Sequence, residues 1–179
     1  MLSDPYFYPL YTALSDLDIP LCIHAGNNSY TWEDLFQRDS GYSRAKLAVI
    51  SSFHSLLMNR VPDRFPQLRV GFIEAASQWI PGTIYDYARR QERRLNNPVD
   101  RTAVLRDNRF YVTCQTDDDL PYVLKYAENN LVMGTDYGHN DTATEIDALR
   151  YLKTGGLVSA EQIERILGDN AQALYGLQE

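Results

Sequence analysis

Three residues able to bind a cation or move a proton stand at the carboxyl ends of short apolar runs. His24 follows Ile19-Pro20-Leu21-Cys22-Ile23, Glu74 follows Leu68-Arg69-Val70-Gly71-Phe72-Ile73, and Asp136 follows Leu131-Val132-Met133-Gly134-Thr135. An imidazole nitrogen and two carboxylates can together hold a divalent metal, which would acidify a bound water into a nucleophile near neutral pH. His139 lies three residues beyond Asp136, where a loop would bring it to a substrate or to a metal ligand. Each residue also has a plainer reading. A histidine after an apolar strand is often a hydrogen-bonded core residue, Glu74 and Asp136 could cap the helices that follow them, and His139 could be exposed and idle. An acid at the end of a buried strand is costly to leave unpaired, which favours a metal or another cation beside it.

Other reactive side chains read differently. His54 falls on the apolar face of a helical segment with Leu47, Ile50, Phe53, Leu57 and Met58, the position of a packing histidine away from any site. Cys114 points to the same mouth by position, but with no base beside it in sequence it reads as a small apolar residue.

These residues can meet only if their runs are parallel strands, and the segments between them supply the crossovers. Asp4-Pro5 has the form of an N-cap with a first-turn proline, and Phe7, Leu10, Tyr11, Leu14 and Leu17 recur at helical spacing behind it. A strand ending at Gly26 and a loop at Asn27-Asn28 come next, then a helix from Tyr42 to Val61 that Pro62 stops. The second strand spans Leu68 to Ala75 and is followed by a helix from Trp79 to Ala88; the third spans Phe110 to Cys114, followed by a helix from Leu120 to Ala127. The fourth spans Leu131 to Asp136, with a helix from Glu145 to Leu152, a capping-box start at Ser159 with Gln162, and a tail helix over Asn170 to Tyr175 stopped by Gly176.

Strands separated by helices pair in parallel through right-handed crossovers, and ligands then bind at the carboxyl edge. Alternation places Cys22 with His24, Val70 with Phe72 and Glu74, and Val132 with Gly134 and Asp136 on one inner face.

The 179 residues fit one domain, and 44% hydrophobic with 12% aromatic content excludes a disordered chain. A net charge of −7 argues against nucleic acid or an anionic membrane as partner, since both present phosphates. The one basic run, Arg89-Arg90-Gln91-Glu92-Arg93-Arg94, reads as cations at a helix carboxyl end rather than a binding patch. Two cysteines without paired spacing fit a cytoplasmic, reducing setting; no apolar stretch approaches roughly 20 residues, and the amino terminus lacks the pattern of a secretion signal.

Specific strings carry a resemblance beyond periodicity. Leu21-Cys22-Ile23-His24-Ala25-Gly26, the stretch from Arg64-Phe65-Pro66 to Glu74-Ala75 with Trp79-Ile80-Pro81, and Gly134-Thr135-Asp136-Tyr137-Gly138-His139 resemble the amidohydrolase-related family that includes aminocarboxymuconate semialdehyde decarboxylase. The terminal Ile166-Leu167-Gly168-Asp169-Asn170-Ala171-Gln172-Ala173-Leu174-Tyr175-Gly176 is similar to that family's last helix, and the matches keep their order along nearly the whole chain.

The resemblance implies a distorted (β/α)8 TIM-type barrel with one divalent metal, usually Zn2+, at its strand ends. The fold class expected is therefore α/β, the carboxy-terminal half (strands five to eight) of such a barrel, in one domain incomplete at its amino terminus. The family's fifth-strand His, a metal ligand, falls on His24, and its eighth-strand Asp, a ligand or proton acceptor, falls on Asp136. The first-strand His-x-His pair has no counterpart here, and the sixth-strand position that is His in many members is Glu74, which marks a subgroup.

The expected site is thus His24 and Asp136 on the metal, with Asp136, Glu74 and His139 in catalysis. The expected activity is a metal-dependent hydrolase or non-oxidative decarboxylase acting on a small carboxylated or cyclic substrate through metal-bound water. The competing reading is a catalytically inactive half-barrel that serves only as a packing or interaction module, and metal content separates the two. A doubly wound binding domain ranks last, because no glycine-rich phosphate loop follows a strand. Half a barrel would leave Cys22, Val70, Phe72, Val132 and Gly134 as an open inner face, so self-association through that face is expected.

Overall fold

In the computed structural model, which describes residues 1–26, 30–35, 38, 41–139 and 144–177, the four apolar runs pair as a parallel sheet. Its strands are β1 (Leu21–His24), β2 (Val70–Ile73), β3 (Phe110–Cys114) and β4 (Leu131–Met133), in the order β1-β2-β3-β4. The strands run parallel because each crossover between successive strands passes through helix, and their spatial order is the sequence order. The expected loop at Asn27-Asn28 lies outside the described residues.

The chain opens with a single turn, Pro5–Phe7, whose start is capped by Asp4 accepting from the Tyr6 N–H at 2.8 Å. Helix α1 (Tyr8–Asp16) follows it. Between β1 and β2 stand α2 (Tyr30–Leu35), a π-turn over Tyr42–Lys46, α3 (Leu47–Met58) and α4 (Val61–Arg64). Neither α2 nor the break before α4 follows from apolar periodicity. Pro62 does not stop the preceding helix. Arg60 does so by adopting a left-handed backbone (φ 55°), and Pro62 then sits in the first turn of α4, where its missing N–H is harmless.

Helix α5 (Ile80–Leu95) is longer than its apolar face indicates, and Arg93 and Arg94 lie in its last turn, where the negative end of the helix favours them. The short α6 (Val104–Asp107) precedes β3, and α7 (Leu120–Ala127) is capped by Asp119. After β4 come α8 (Ala148–Gly155), α9 (Ala160–Glu164) with both hydrogen bonds of the Ser159/Gln162 capping box, a π-turn (Arg165–Asp169) and α10 (Asn170–Tyr175), which ends at left-handed Gly176.

The core lies between the sheet and the helices. Phe53 of α3, Phe72 of β2 and Phe110 of β3 meet edge to face at centroid distances of 5.2, 5.5 and 5.2 Å, and all three are essentially inaccessible to solvent. Burying each such ring contributes about 1.5–3 kcal/mol. This corrects the expected inner face, because Val70 and Phe72 belong to the helix-covered side. The register shows why: Cys22 pairs with Gly71, Gly71 with Tyr111 and Thr113 with Val132, so the opposite face carries Cys22, His24, Gly71, Ile73, Tyr111, Thr113 and Val132.

That opposite face is partly closed at its amino end by α10. A methyl placed on Gly71 would meet Leu174 Cδ2 at 3.2 Å and Cys22 Sγ at 3.3 Å, and the Tyr175 hydroxyl lies near the Cys22 thiol. Buried Arg69 anchors this lid, donating to the Leu174 carbonyl at 2.7 Å and to the Asp18 carbonyl at 2.6 Å while pairing with the Asp18 carboxylate.

Candidate active site

The carboxyl edge of the sheet is where the chain's direction must change, and it does so through left-handed residues. Ile73 still belongs to the sheet, its carbonyl accepting from the Ala25 N–H at 3.1 Å. Glu74 then turns left-handed (φ 62°), as does Ala76 (φ 57°), and the Glu74 N–H donates to Thr113 Oγ1 at 2.8 Å instead of continuing the ladder. The alternation of β2 is broken there, so Ile73 and Glu74 both line the same cavity although adjacent in sequence. Non-glycine residues hold such backbone only where the surroundings over-determine it. Beneath the turn, the buried Asp118 carboxylate accepts from Ser77 N–H at 2.9 Å, Ser77 Oγ at 2.7 Å and Gln115 N–H at 2.9 Å, tying the β2 and β3 loops together.

Asp136 is not part of a strand. Strand β4 ends at Met133, and the following segment reaches Asp136 in left-handed backbone (φ 49°). The turn is closed by the His139 N–H donating to the Asp136 carbonyl at 3.2 Å, which carries the His139 ring back over the carboxylate.

The four chemically competent side chains form one connected group. His24 Nε2 lies 2.7 Å from Glu74 Oε2, His139 Nδ1 lies 2.7 Å from Asp136 Oδ1 and 3.9 Å from Glu74 Oε1, and Thr144 Oγ1 stands 3.4 Å from Asp136 Oδ2. His24, Ile73, Glu74, Thr113, Gly134 and Asp136 line a cavity of about 230 Å³. The carboxylates are the more sheltered members of the group, at 21% exposure for Glu74 and 15% for Asp136, against 48% for His24 and 59% for His139.

This donor set fits a divalent cation. One ligand atom each from Glu74, Asp136 and His139 lies within 4.8 Å of the others, and two carboxylates brought so close repel unless positive charge comes between them. The His24 ring gives a second indication. Its Nδ1 must be a donor, since it faces the Ala25 carbonyl at 2.8 Å. A neutral ring would then turn a lone pair at Nε2 toward the Glu74 carboxylate, an approach favourable only with a proton or a cation between them. A carbonyl fixing one ring nitrogen while the other faces the site is the usual setting of a metal-ligating histidine.

His54 lies elsewhere. It lines a larger, shallower groove of about 640 Å³ between α3 and α5 that shares no lining residue with the sheet-edge cavity, and its Nε2 is 3.0 Å from Asp86 Oδ2 without hydrogen-bond alignment. That groove is larger, but the cluster of metal-competent groups is at the sheet edge. Neither cysteine is an activated nucleophile. Burial, reinforced by the Asp118 charge, pushes the Cys114 thiol up to about 12, and burial also raises that of Cys22 against the opposing Tyr175 hydrogen bond.

Sequence reasoning passed over Thr113, Gln115 and Thr144. Thr113 was the accessible one, since alternation along β3 puts Tyr111 and Thr113 opposite the buried Phe110, Val112 and Cys114.

A profile of the family described as Amidohydrolase matches residues 2–177. The chain therefore belongs to the amidohydrolase family. None of the curated proteins matches it. Among solved structures, it is similar to an amidohydrolase from Mycobacterium avium subsp. paratuberculosis K-10 with 22% identity and a TM-score of 0.79, covering 99% of this chain and 47% of the other. A 5-carboxyvanillate decarboxylase from Sphingomonas paucimobilis follows at 19% identity and TM-score 0.71, covering 98% and 55%. A dihydroxybenzoic acid decarboxylase from Polaromonas sp. JS666, holding manganese and the inhibitor 2-nitroresorcinol, matches at 16% identity and TM-score 0.65, covering 99% and 56%. The chain spans about half the length of these relatives. Among the described residues, no helix is long and apolar enough to cross a membrane.

Proposed function

We propose that this chain carries one side of the active site of a metal-dependent amidohydrolase-type enzyme, which hydrolyses or non-oxidatively decarboxylates a small carboxylated or cyclic substrate. The observation that carries the reading is the contact network from His24 through Glu74 and His139 to Asp136 at the carboxyl edge of a parallel sheet. A divalent cation there, zinc or manganese, would supply the positive charge that polarises a carbonyl or carboxylate oxygen and acidifies water. His24 and Asp136 are the residues to hold it, His24 with its ring fixed on the Ala25 carbonyl and Asp136 beside the Thr144 hydroxyl. Glu74 and His139 flank them with ligand atoms within reach of the same cation, and whichever does not complete its coordination is placed to accept a proton from, or return one to, a substrate in the cavity.

Several observations support the finer parts of this reading. Two of the solved relatives are named for carboxylated aromatic rings, and one of those two holds manganese. Four parallel strands over about half the relatives' length support reading them as strands five to eight of an eight-stranded barrel, whose remaining wall and ligands another half would supply. The net charge of −7 suits a small-molecule substrate rather than nucleic acid or a membrane, the two free thiols suit a cytoplasmic setting, and the uncovered part of the inner face suits self-association.

Metal analysis after dialysis against Zn2+ tests the proposal. The chain alone should retain well below one zinc, and His24→Ala or Asp136→Asn should abolish even that. Retention unchanged in both variants would remove these residues from the metal site, and an absence of any binding would favour the inactive packing module.

A further inference from the structure

We propose that Thr113 is a positioning residue that holds the Glu74 carboxylate in the site, through a hydrogen bond to the Glu74 backbone rather than by contact with substrate or metal. The inference rests on the proposed metal-dependent site and deepens it.

The geometry is specific to this position. Glu74 follows Ile73 immediately, and an extended Glu74 would send its side chain to the helix-covered face, on the parity of Val70 and Phe72. The left-handed turn at Glu74 reverses that parity, and the turn leaves the Glu74 N–H without a place in the β2–β3 ladder, whose register is assigned only as far as Phe72 and Val112. Thr113 Oγ1 accepts that N–H at 2.8 Å and stands 3.4 Å from the Phe72 carbonyl, to which it can donate. One hydroxyl thus serves polar groups on both sides of Ile73.

The rest of the Thr113 side chain faces the other arm of the site. A methyl placed on Gly134 would meet Thr113 Cγ2 at 3.9 Å, so Thr113 lies between the segment that delivers Glu74 and the one that delivers Asp136, and it lines the cavity with both. Glu74 in turn contacts His24 at 2.7 Å and His139 at 3.9 Å, so loss of its orientation loosens the whole group.

The test is a titration of the full chain with Mn2+, followed by loss of the free-ion EPR signal, on the parent, Thr113→Val, Thr113→Ser, Glu74→Gln and the Thr113→Val/Glu74→Gln double variant. Thr113→Val keeps the shape and removes the hydroxyl, and should weaken Mn2+ binding about 10-fold, the low end of what loss of an outer partner does to a metal site. Thr113→Ser should restore parental affinity. In the Glu74→Gln background Thr113→Val should have no further effect, because its action passes through Glu74. Parental affinity in Thr113→Val, failure of Thr113→Ser to restore it, or an undiminished effect in the Glu74→Gln background would overturn the inference, as would a Thr113→Val chain that does not fold. A parent that binds no Mn2+ would instead overturn the reading of the site itself.

Discussion

At the scale of single residues, the unusual feature of the site is that its acids are held by strained backbone. Glu74 and Asp136 both adopt left-handed conformations, which cost a non-glycine residue roughly 1–2 kcal/mol. Glu74→Gly should therefore raise thermal stability slightly while abolishing the His24 contact, so that a higher melting temperature accompanies weaker metal binding; a lower melting temperature would mean that the carboxylate stabilises more than the backbone strains. Two buried groups contribute to the alkaline limit, alongside Cys22, Tyr87 and Tyr111, which burial shifts in the same direction. Tyr11 and Cys114 are pushed up to about 12 from 10.0 and 9.0 by burial, Tyr11 also by the neighbouring Tyr8. Below about pH 8 both are protonated whether the chain is folded or not. Above it the unfolded chain releases protons that the folded chain retains, so their contribution to stability fades as pH rises toward 12. Melting temperatures measured from pH 7 to 11 should be level at first and fall beyond about pH 8, and Cys114→Ala should flatten the first part of that fall.

At the scale of elements, the sheet is stapled at both ends by buried charged side chains. At the amino end Arg69 spans the Asp18 loop and the last turn of α10, and Gly176 must stay small because a methyl there would lie 2.7 Å from Arg69 Nη2. Arg69→Met leaves the Leu174 and Asp18 carbonyls without their donor and should destabilise the fold by about 2–4 kcal/mol, read from urea midpoints. A change below about 0.5 kcal/mol would show that α10 docks through Leu174 alone. At the carboxyl end Asp118 gathers three donors from the loops that carry the site. Asp118→Ala should lower both stability and metal affinity, since the Glu74 turn lies directly ahead of Ser77. Metal binding unchanged in a destabilised Asp118→Ala chain would confine that staple to the fold.

At the scale of the whole molecule, the sheet ends at β1 on one side and β4 on the other, with their outer backbone groups outside the sheet's ladders. Exposed apolar side chains precede β1 in the chain, at Leu10, Leu17 and Ile19, and follow β4, at Ile146, Tyr151 and Leu157. The outer Leu131 carbonyl of β4 is taken by Asn170 Nδ2 at 2.8 Å, so exposed apolar surface rather than a bare β4 edge invites association. If the four strands are half of a barrel, as proposed, the chain by itself should self-associate at low micromolar concentration in sedimentation velocity, and one supplied with four further strands should sediment as a closed monomer. A cooperatively unfolding monomer of this chain would show that four strands and the α10 lid suffice.

The amino-acid sequence by itself determined the four strands and the longer helices around them, though not α2, α4 or α6, because apolar periodicity, Asp4 and Ser159 as caps and Gly176 as a stop are local signals. It also determined that His24, Glu74 and Asp136 follow apolar runs, and hence that parallel pairing brings them to one edge. Only the tertiary structure decided which way they point. Val70 and Phe72 alternate in phase with Glu74 on paper, yet the register against β1 and β3 turns them to the helices, while the left-handed turn at Glu74 returns that one side chain to the cavity. Asp136 and His139 met through a turn beyond β4 that no periodicity describes. The physical reason is the same in both cases. Periodicity reports how a segment alternates, whereas the face it shows is set by the neighbours it pairs with and by single backbone angles that depend on a hydroxyl or a carboxylate contributed from another strand.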